Sequence, residues 1–194
     1  MSAIDLYLAS QSPRRAELLM QLGLRFEIVP AEVVEQPRPG ETPAQYALRI
    51  AQDKARAGAT HARVALPVLG ADTDVVLDGK VLGKPRDAAH AIDMLLALSG
   101  RMHEVYSAVA LMLGERDETA LSVTRVEFGD ITRAQAQAYW DSGEPRGKAG
   151  AYAIQGLGAR FVRRIEGSYS GVVGLPLYET MELLQRLQDH NKKP

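Results

Sequence analysis

Val68-Leu-Gly-Ala-Asp-Thr-Asp-Val-Val-Leu-Asp-Gly-Lys-Val-Leu82 is the stretch on which the fold turns. Val68 to Leu77 is rich in branched apolar residues and reads as a buried strand; Asp78-Gly79 is the strongest short hairpin signal, and Lys80 to Leu82 reads as the return strand. Two acids lie inside the apolar run. Burying carboxylates costs several kcal/mol unless they are paired or bind a cation, so Asp72 and Asp74 mark a site unless the strand ends at Gly70 and leaves them in solvent. Regular alternation puts both acids on one face and Thr73 on the other.

On the N-terminal side, Leu6 to Ala9 reads as a short buried strand. Ser12-Pro13 then supplies an N-cap and a proline at the first helical position, and the helix runs to Gly23, with Leu18, Leu19 and Leu22 as its apolar stripe. A second strand spans about Phe26 to Pro30. Thr42-Pro-Ala-Gln45 has capping-box spacing, and the helix it opens extends to about Ala59. Tyr46, Ile50 and Lys54 recur every four residues, which places a lysine on the apolar face.

On the C-terminal side, Asp87 caps a helix ending near Gly100, and Glu104 to Leu113 with Thr119 to Phe128 read as an antiparallel pair. Thr132 to Gln135 repeats the capping box before a helix to Ser142. From Gly143 to Gly174 glycine is too dense for regular helix and predicts loops and short strands. A last helix covers about Leu177 to Asp189, and Asn191 to Pro194 is expected to fray. Strands alternating with helices, plus hairpins, give an α/β fold around a mixed sheet.

Composition narrows the function. At 194 residues the chain reads as a single domain, 46% hydrophobic and 24% charged. Its net charge of -1, from 23 Lys+Arg against 24 Asp+Glu, gives no global field toward nucleic-acid polymers or anionic membranes. An anionic ligand would need a local cluster of cations. No cysteine is present, which excludes disulfides and thiolate chemistry and is compatible with a reducing, cytoplasmic setting. The N-terminus lacks signal-peptide character, and no apolar run approaches the roughly 20 residues that span a bilayer.

Leu8-Ala-Ser-Gln-Ser-Pro-Arg-Arg-Ala-Glu-Leu-Leu19 carries Ser10, Ser12, Arg14 and Arg15 where a strand meets a helix N-terminus, a setting that suits phosphate oxygens. The plainer reading is a capped helix with surface arginines. Lys54, Lys84 in Gly-Lys-Pro and Lys148 in Arg-Gly-Lys-Ala-Gly are candidate members of the cationic cluster, although a single lysine is more often a solvated charge. Gly156-Leu-Gly158 lacks the third glycine and the strand-to-helix context of a dinucleotide fingerprint, and reads as a turn. The histidines at 61, 90, 103 and 190 have no metal-ligand spacing, and the serines lack a nucleophile elbow.

Taken in order, these segments resemble the Maf family of nucleoside triphosphate pyrophosphatases. The resemblance runs from about Leu6 to Leu184. It rests on Ala9-Ser-Gln-Ser-Pro-Arg-Arg15, Gly70-Ala-Asp-Thr73, Leu82-Gly-Lys-Pro85, Leu98-Ser-Gly100, Lys148-Ala-Gly-Ala-Tyr-Ala-Ile-Gln-Gly156, Gly167-Ser-Tyr169 and Val172-Val-Gly-Leu-Pro-Leu177. It implies a two-lobed α/β fold, a mixed sheet with flanking helices around a central cleft, over residues 1–194. It also implies hydrolysis between the α- and β-phosphates with Mg²⁺ or Mn²⁺, often by a homodimer. By position, Asp72 would be the proton acceptor, Glu35 the family's acid in the loop before the long helix, and Ser10, Arg14, Lys54, Lys84 and Lys148 its polar and cationic positions; Ser12 joins the phosphate-binding set from the turn at the helix start, and Glu35 and Asp72 are the expected metal ligands.

Arg14, Thr73 and Gln155 match the branch that acts on dTTP and UTP, against tryptophan, glutamine and glutamate in the branch that acts on 7-methyl-GTP. A glutamine amide offers one donor and one acceptor, which can match O4 and N3–H of uracil or thymine. Two positions depart from the family pattern. Gly147 replaces an aspartate before Lys148, and Asp74 replaces an apolar or small residue. The missing aspartate supports a competing expectation, a nucleotide-binding regulator of division or septum formation with little turnover. Hydrolysis of modified pyrimidine nucleotides would use the same residues.

Overall fold

The computed structural model describes residues 4–191. The fraying expected from Asn191 onward falls at and beyond that end, with residues 192–194 outside the described region. Strands β1 (Leu6–Leu8), β2 (Phe26–Ile28), β3 (Val68–Leu77), β5 (Met102–Leu113), β6 (Arg116–Phe128) and β7 (Val162–Glu166) form one sheet in the order β2-β1-β3-β5-β6-β7, and β4 (Lys80–Val81) pairs with β3. β1 runs parallel to β2 and β3, while the remaining pairs are antiparallel. The mixed α/β sheet expected from the sequence is thus present. Asp78 (φ 50) and Gly79 (φ 73) both turn left-handed, as the two-residue hairpin between β3 and β4 requires.

The helices are α1 (Pro13–Gln21), α2 (Pro43–Ala59), α3 (Ala88–Leu98), α4 (Arg133–Asp141), α5 (Tyr169–Val173) and α6 (Leu177–Asn191). Both capping boxes form: Thr42 accepts from Gln45 N, and Thr132 from Gln135 N. Among the described residues, no helix is long and apolar enough to cross a membrane.

Two faces of β3 meet different neighbours. Leu69, Ala71, Val75 and Leu77 join the main core with Leu18 and Leu19 of α1, Leu95 and Leu98 of α3, Tyr139 of α4 and Leu183 of α6. Against the other face α2 lies unusually close. Its Ala47, Ala51 and Ala55 pack on Ala108 and Ala110 of β5, and a Cβ on Gly70 would come within 2.5 Å of the Ala55 backbone nitrogen. Small side chains at every crossing point let the helix axis approach the sheet, and that approach delivers Lys54 to the acids of β3.

Three local expectations need correction. The second strand ends at Ile28 instead of Pro30: its ladder with the three-residue β1 stops at Leu8–Ile28, with one more backbone bond from Val29 N to Leu8 O. Ser12 occupies the N-cap position of α1, but its hydroxyl makes no capping bond. The glycine-dense segment does hold a short helix, α5, capped by Ser168 through Gly171 N, so a local side-chain cap outweighs glycine's low helix propensity over a single turn.

Candidate active site

A cleft of about 590 Å³ opens between the start of α1, the central residues of β3, α2 and the loop before β7. Ser12, Arg14, Glu35, Lys54, Asp72, Thr73, Lys84, Lys148 and Gln155 all line it. Every residue singled out from the sequence is in this wall except Ser10, which lines an adjoining recess with Arg15, Glu35, Lys54 and Lys84. Points up to about 140 residues apart in the chain thus converge on one site.

The polar centre is a chain of ion pairs. Lys54 Nζ lies 2.7 Å from Asp72 Oδ1 and 2.6 Å from Glu35 Oε1, and Lys84 Nζ lies 2.7 Å from Glu35 Oε2. Burial pushes the Glu35 carboxyl up, but the bonds from Lys54 and Lys84 outweigh it and hold the group down at about 2. Lys54 and Asp72 are each 7% exposed, so this pair is desolvated and held by the packing of α2 on β3. A lysine on the apolar face of α2 is thereby explained: its ammonium reaches the acids on the strand.

Asp74 lies on the same face of β3 as Asp72 and also lines the cleft. It is 7% exposed, and its Oδ2 finds no hydrogen-bond partner among the described residues. Burial, then the charge of Asp72 and a hydrogen bond to it, push the Asp74 carboxyl up to about 8. Beside Asp72, the Asp74 carboxyl is therefore driven toward its protonated form.

On the opposite face, Arg15 ties the start of α1 to β3 and to the turn after α5. Its Nε donates to Gly174 O (2.9 Å), Nη1 to Ser10 Oγ (3.2 Å) and Nη2 to Thr73 Oγ1 (3.4 Å). The Ser10 hydroxyl and the Thr73 hydroxyl, which itself donates to Gly174 O at 3.2 Å, are thus engaged in fixing the cleft wall. Arg14 makes none of these bonds: its Nε is buried with no hydrogen-bond partner among the described residues, and burial lowers its affinity for its proton. Lys148 is likewise lowered, by burial and then by the charge of Arg14. Two cations that repel each other in one wall form a local positive field, although the protein as a whole is nearly neutral.

A family model described as Maf-like protein matches residues 5–187. The chain belongs to that family. Its relatives include proteins named dTTP/UTP pyrophosphatase from Saccharophagus degradans (53% identical over 190 residues, covering 96% of this chain and 90% of that protein) and from Methylococcus capsulatus (54% over 184 residues, 95% and 91%). The protein of that name from Escherichia coli strain K12 is 53% identical over 189 residues, covering 97% of this chain and 96% of its own. Within this Maf-like chain, Arg15, a candidate phosphate ligand by sequence, is instead occupied by Gly174, Ser10 and Thr73 in fixing the cleft wall. Tyr139 and Glu144, which hold the Gln155 segment, carry no recognisable sequence signal.

Proposed function

We propose that this chain hydrolyses dTTP and UTP to the nucleoside monophosphate and pyrophosphate, with Asp72 as the proton acceptor. The observation that carries the reading is the buried Lys54–Asp72 pair, 2.7 Å apart, in the wall of a cleft that also presents Arg14, Lys84 and Lys148. The names of the relatives support the enzyme over a regulator with little turnover. Gln155, exposed in the cleft wall, supports the pyrimidine preference through its paired donor and acceptor.

Asp72 takes a proton from a water whose oxygen bonds to the α-phosphorus as the bond to the bridging oxygen breaks, and pyrophosphate departs with the electron pair. Lys54 fixes the Asp72 carboxylate from one side. Asp74, driven toward its protonated form, adds less negative charge beside Asp72. Arg14, Lys84 and Lys148 offset the charge gathering on the leaving group, and the Arg15 bonds keep the start of α1 and Thr73 at a set distance.

Glu35 and Asp72 fit a divalent cation such as Mg²⁺ or Mn²⁺. Both offer hard carboxylate oxygens, and the Lys54 ammonium between them shows that they already share one cationic group. Among the described residues no group of three or more His, Cys, Asp or Glu is arranged to hold a metal, so substrate phosphates would complete the ligand set. Such an ion supplies charge neutralisation at the phosphate oxygens.

The test is a panel of nucleoside triphosphates with Mg²⁺ or Mn²⁺ and identification of products. UTP and dTTP should yield pyrophosphate and the monophosphate at the highest kcat/KM. Stepwise release of orthophosphate, or binding without turnover across the panel, would overturn the proposal. Modified pyrimidine triphosphates in the same panel rank the physiological substrate.

A further inference from the structure

The Gly156-Leu-Gly158 turn has no part in the chemistry above, yet it is tied to two polar side chains in a way a simple turn does not need. Glu144, after the end of α4, accepts from Leu157 N through Oε2 (2.8 Å) and from Gly158 N through Oε1 (2.9 Å). Its Oε1 also accepts from the Tyr139 hydroxyl at 2.6 Å, and that hydroxyl accepts from Ala153 N at 3.0 Å. The segment from Ala153 to Gly158 is therefore pinned at both ends to one hydrogen-bonded pair. Gln155 sits between the pins.

The closeness of this pair leaves no room for a side chain at either glycine without moving it. A Cβ on Gly156 would run into the Glu144 carboxylate, and one on Gly158 would come within 2.5 Å of the Tyr139 hydroxyl. Neither glycine adopts a left-handed torsion, so space and not backbone freedom dictates the residue. The Tyr139 ring is itself fixed: it is fully buried, stacks edge-on to Phe161 at 5.3 Å, and lies 5.7 Å beneath the Arg160 guanidinium. Burial, then the bond to Glu144, raises the Tyr139 hydroxyl well above its ordinary range, so it remains a donor.

We propose that Tyr139 and Glu144 are positioning residues for base recognition, acting as a clamp that sets where the Gln155 amide meets the pyrimidine edge. The inference rests on the base-reading role given to Gln155 above. A side chain on a loose loop would lose selectivity because its donor and acceptor must both be aimed, whereas a loop pinned on each side presents the amide in one place.

Tyr139→Phe removes both hydroxyl bonds while keeping the ring. With Mg²⁺ and the full chain, the kcat/KM ratio of UTP to CTP is measured for the parent, Tyr139→Phe, Gln155→Ala and the double variant, with thermal unfolding to establish that each is folded. The clamp predicts a fall in the ratio of roughly tenfold in each single variant, carried by KM more than kcat, and no further fall in the double variant. Glu144→Ala, which removes the acceptor of the Tyr139 hydroxyl and of Leu157 and Gly158 N, should lower the ratio in the same way and carries the test if Tyr139→Phe does not fold. An unchanged ratio in these clamp variants, against a fall in Gln155→Ala, overturns the clamp alone, as does an additive fall in the double variant. An unchanged ratio in Gln155→Ala removes the base-reading residue and the clamp's role with it.

Discussion

Replacing Asp74 by valine should stabilise the protein, and by more at alkaline than at acid pH. The carboxyl is 7% exposed, has an oxygen without a partner among the described residues, and is pushed up to about 8 against 3.8 for an ordinary aspartate. A raised carboxyl pKa means that the native state keeps a proton the unfolded chain has already released. The contribution of Asp74 is therefore most favourable below about pH 4 and is lost as pH rises through about 8. Removing the orphaned oxygen recovers on the order of 1–3 kcal/mol, and burying an apolar group in its place adds roughly 1 kcal/mol. A β-branched residue also suits the strand, and Lys54 keeps both Glu35 and Asp72 as partners. The expected gain is roughly 3 kcal/mol at pH 9, a Tm rise of roughly 6–12 °C for a chain of this size, and linkage at about 1.4 kcal/mol per unit between pH 5 and 8 removes it at pH 5. Urea and thermal unfolding at both pH values, with a chelator present, measure it. A variant less stable than the parent at pH 9, or a gain at pH 5 that equals or exceeds the gain at pH 9, would refute the reasoning and show Asp74 to be an ionised partner of Lys54.

Asp72→Asn should lower turnover of UTP by roughly 10²–10⁴ with the fold and much of the nucleotide affinity retained; steady-state kinetics showing near-normal kcat would remove Asp72 as the proton acceptor. Gln155→Glu should lower kcat/KM for UTP and dTTP by at least roughly tenfold, because a carboxylate has no donor for O4 and places charge against it; an unchanged specificity profile would end the base-reading role. His103, 2% exposed and 2.8 Å from the Tyr152 hydroxyl, is held neutral because burial lowers its pKa to about 4. Its contribution is complete above its unfolded value of 6.5 and is lost as pH falls toward 4, so His103→Gln should flatten a loss of up to about 3 kcal/mol across that window. Urea titrations at pH 4.5 and 7 would expose a parent and variant with identical pH dependence, the result that contradicts it.

Much of the fold was legible because its signals are local. Capping boxes at Thr42 and Thr132, the Asp78-Gly79 turn and the apolar run of β3 each act within a few residues, and each sits where the sequence put it. Lys54 was legible as an oddity, a charge at an apolar helical spacing, and the structure supplies its partners. Ser10 and Thr73 read as ligand-facing groups, whereas their hydroxyls meet Arg15. The short helix α5 was hidden because glycine density argues against helix wherever it is read by propensity alone.

By itself the sequence determined the residue types available for chemistry, the succession of strands and helices, and the period that turns Lys54 and Asp72 inward. Tertiary structure alone decided which charges meet. The distance from Lys54 to Asp72 depends on how closely α2 can lie on β3, and that is set by Gly70 and the alanines of both elements. Whether Asp74 is a solvated acid or a proton-holding one follows from its burial beside Asp72, a property of the packed sheet and helix that strand alternation only permits. The aim of Gln155 depends on Tyr139 and Glu144 from a different element. Electrostatic and hydrogen-bond energies fall steeply with distance, so they belong to the folded arrangement and have no counterpart in the order of the residues.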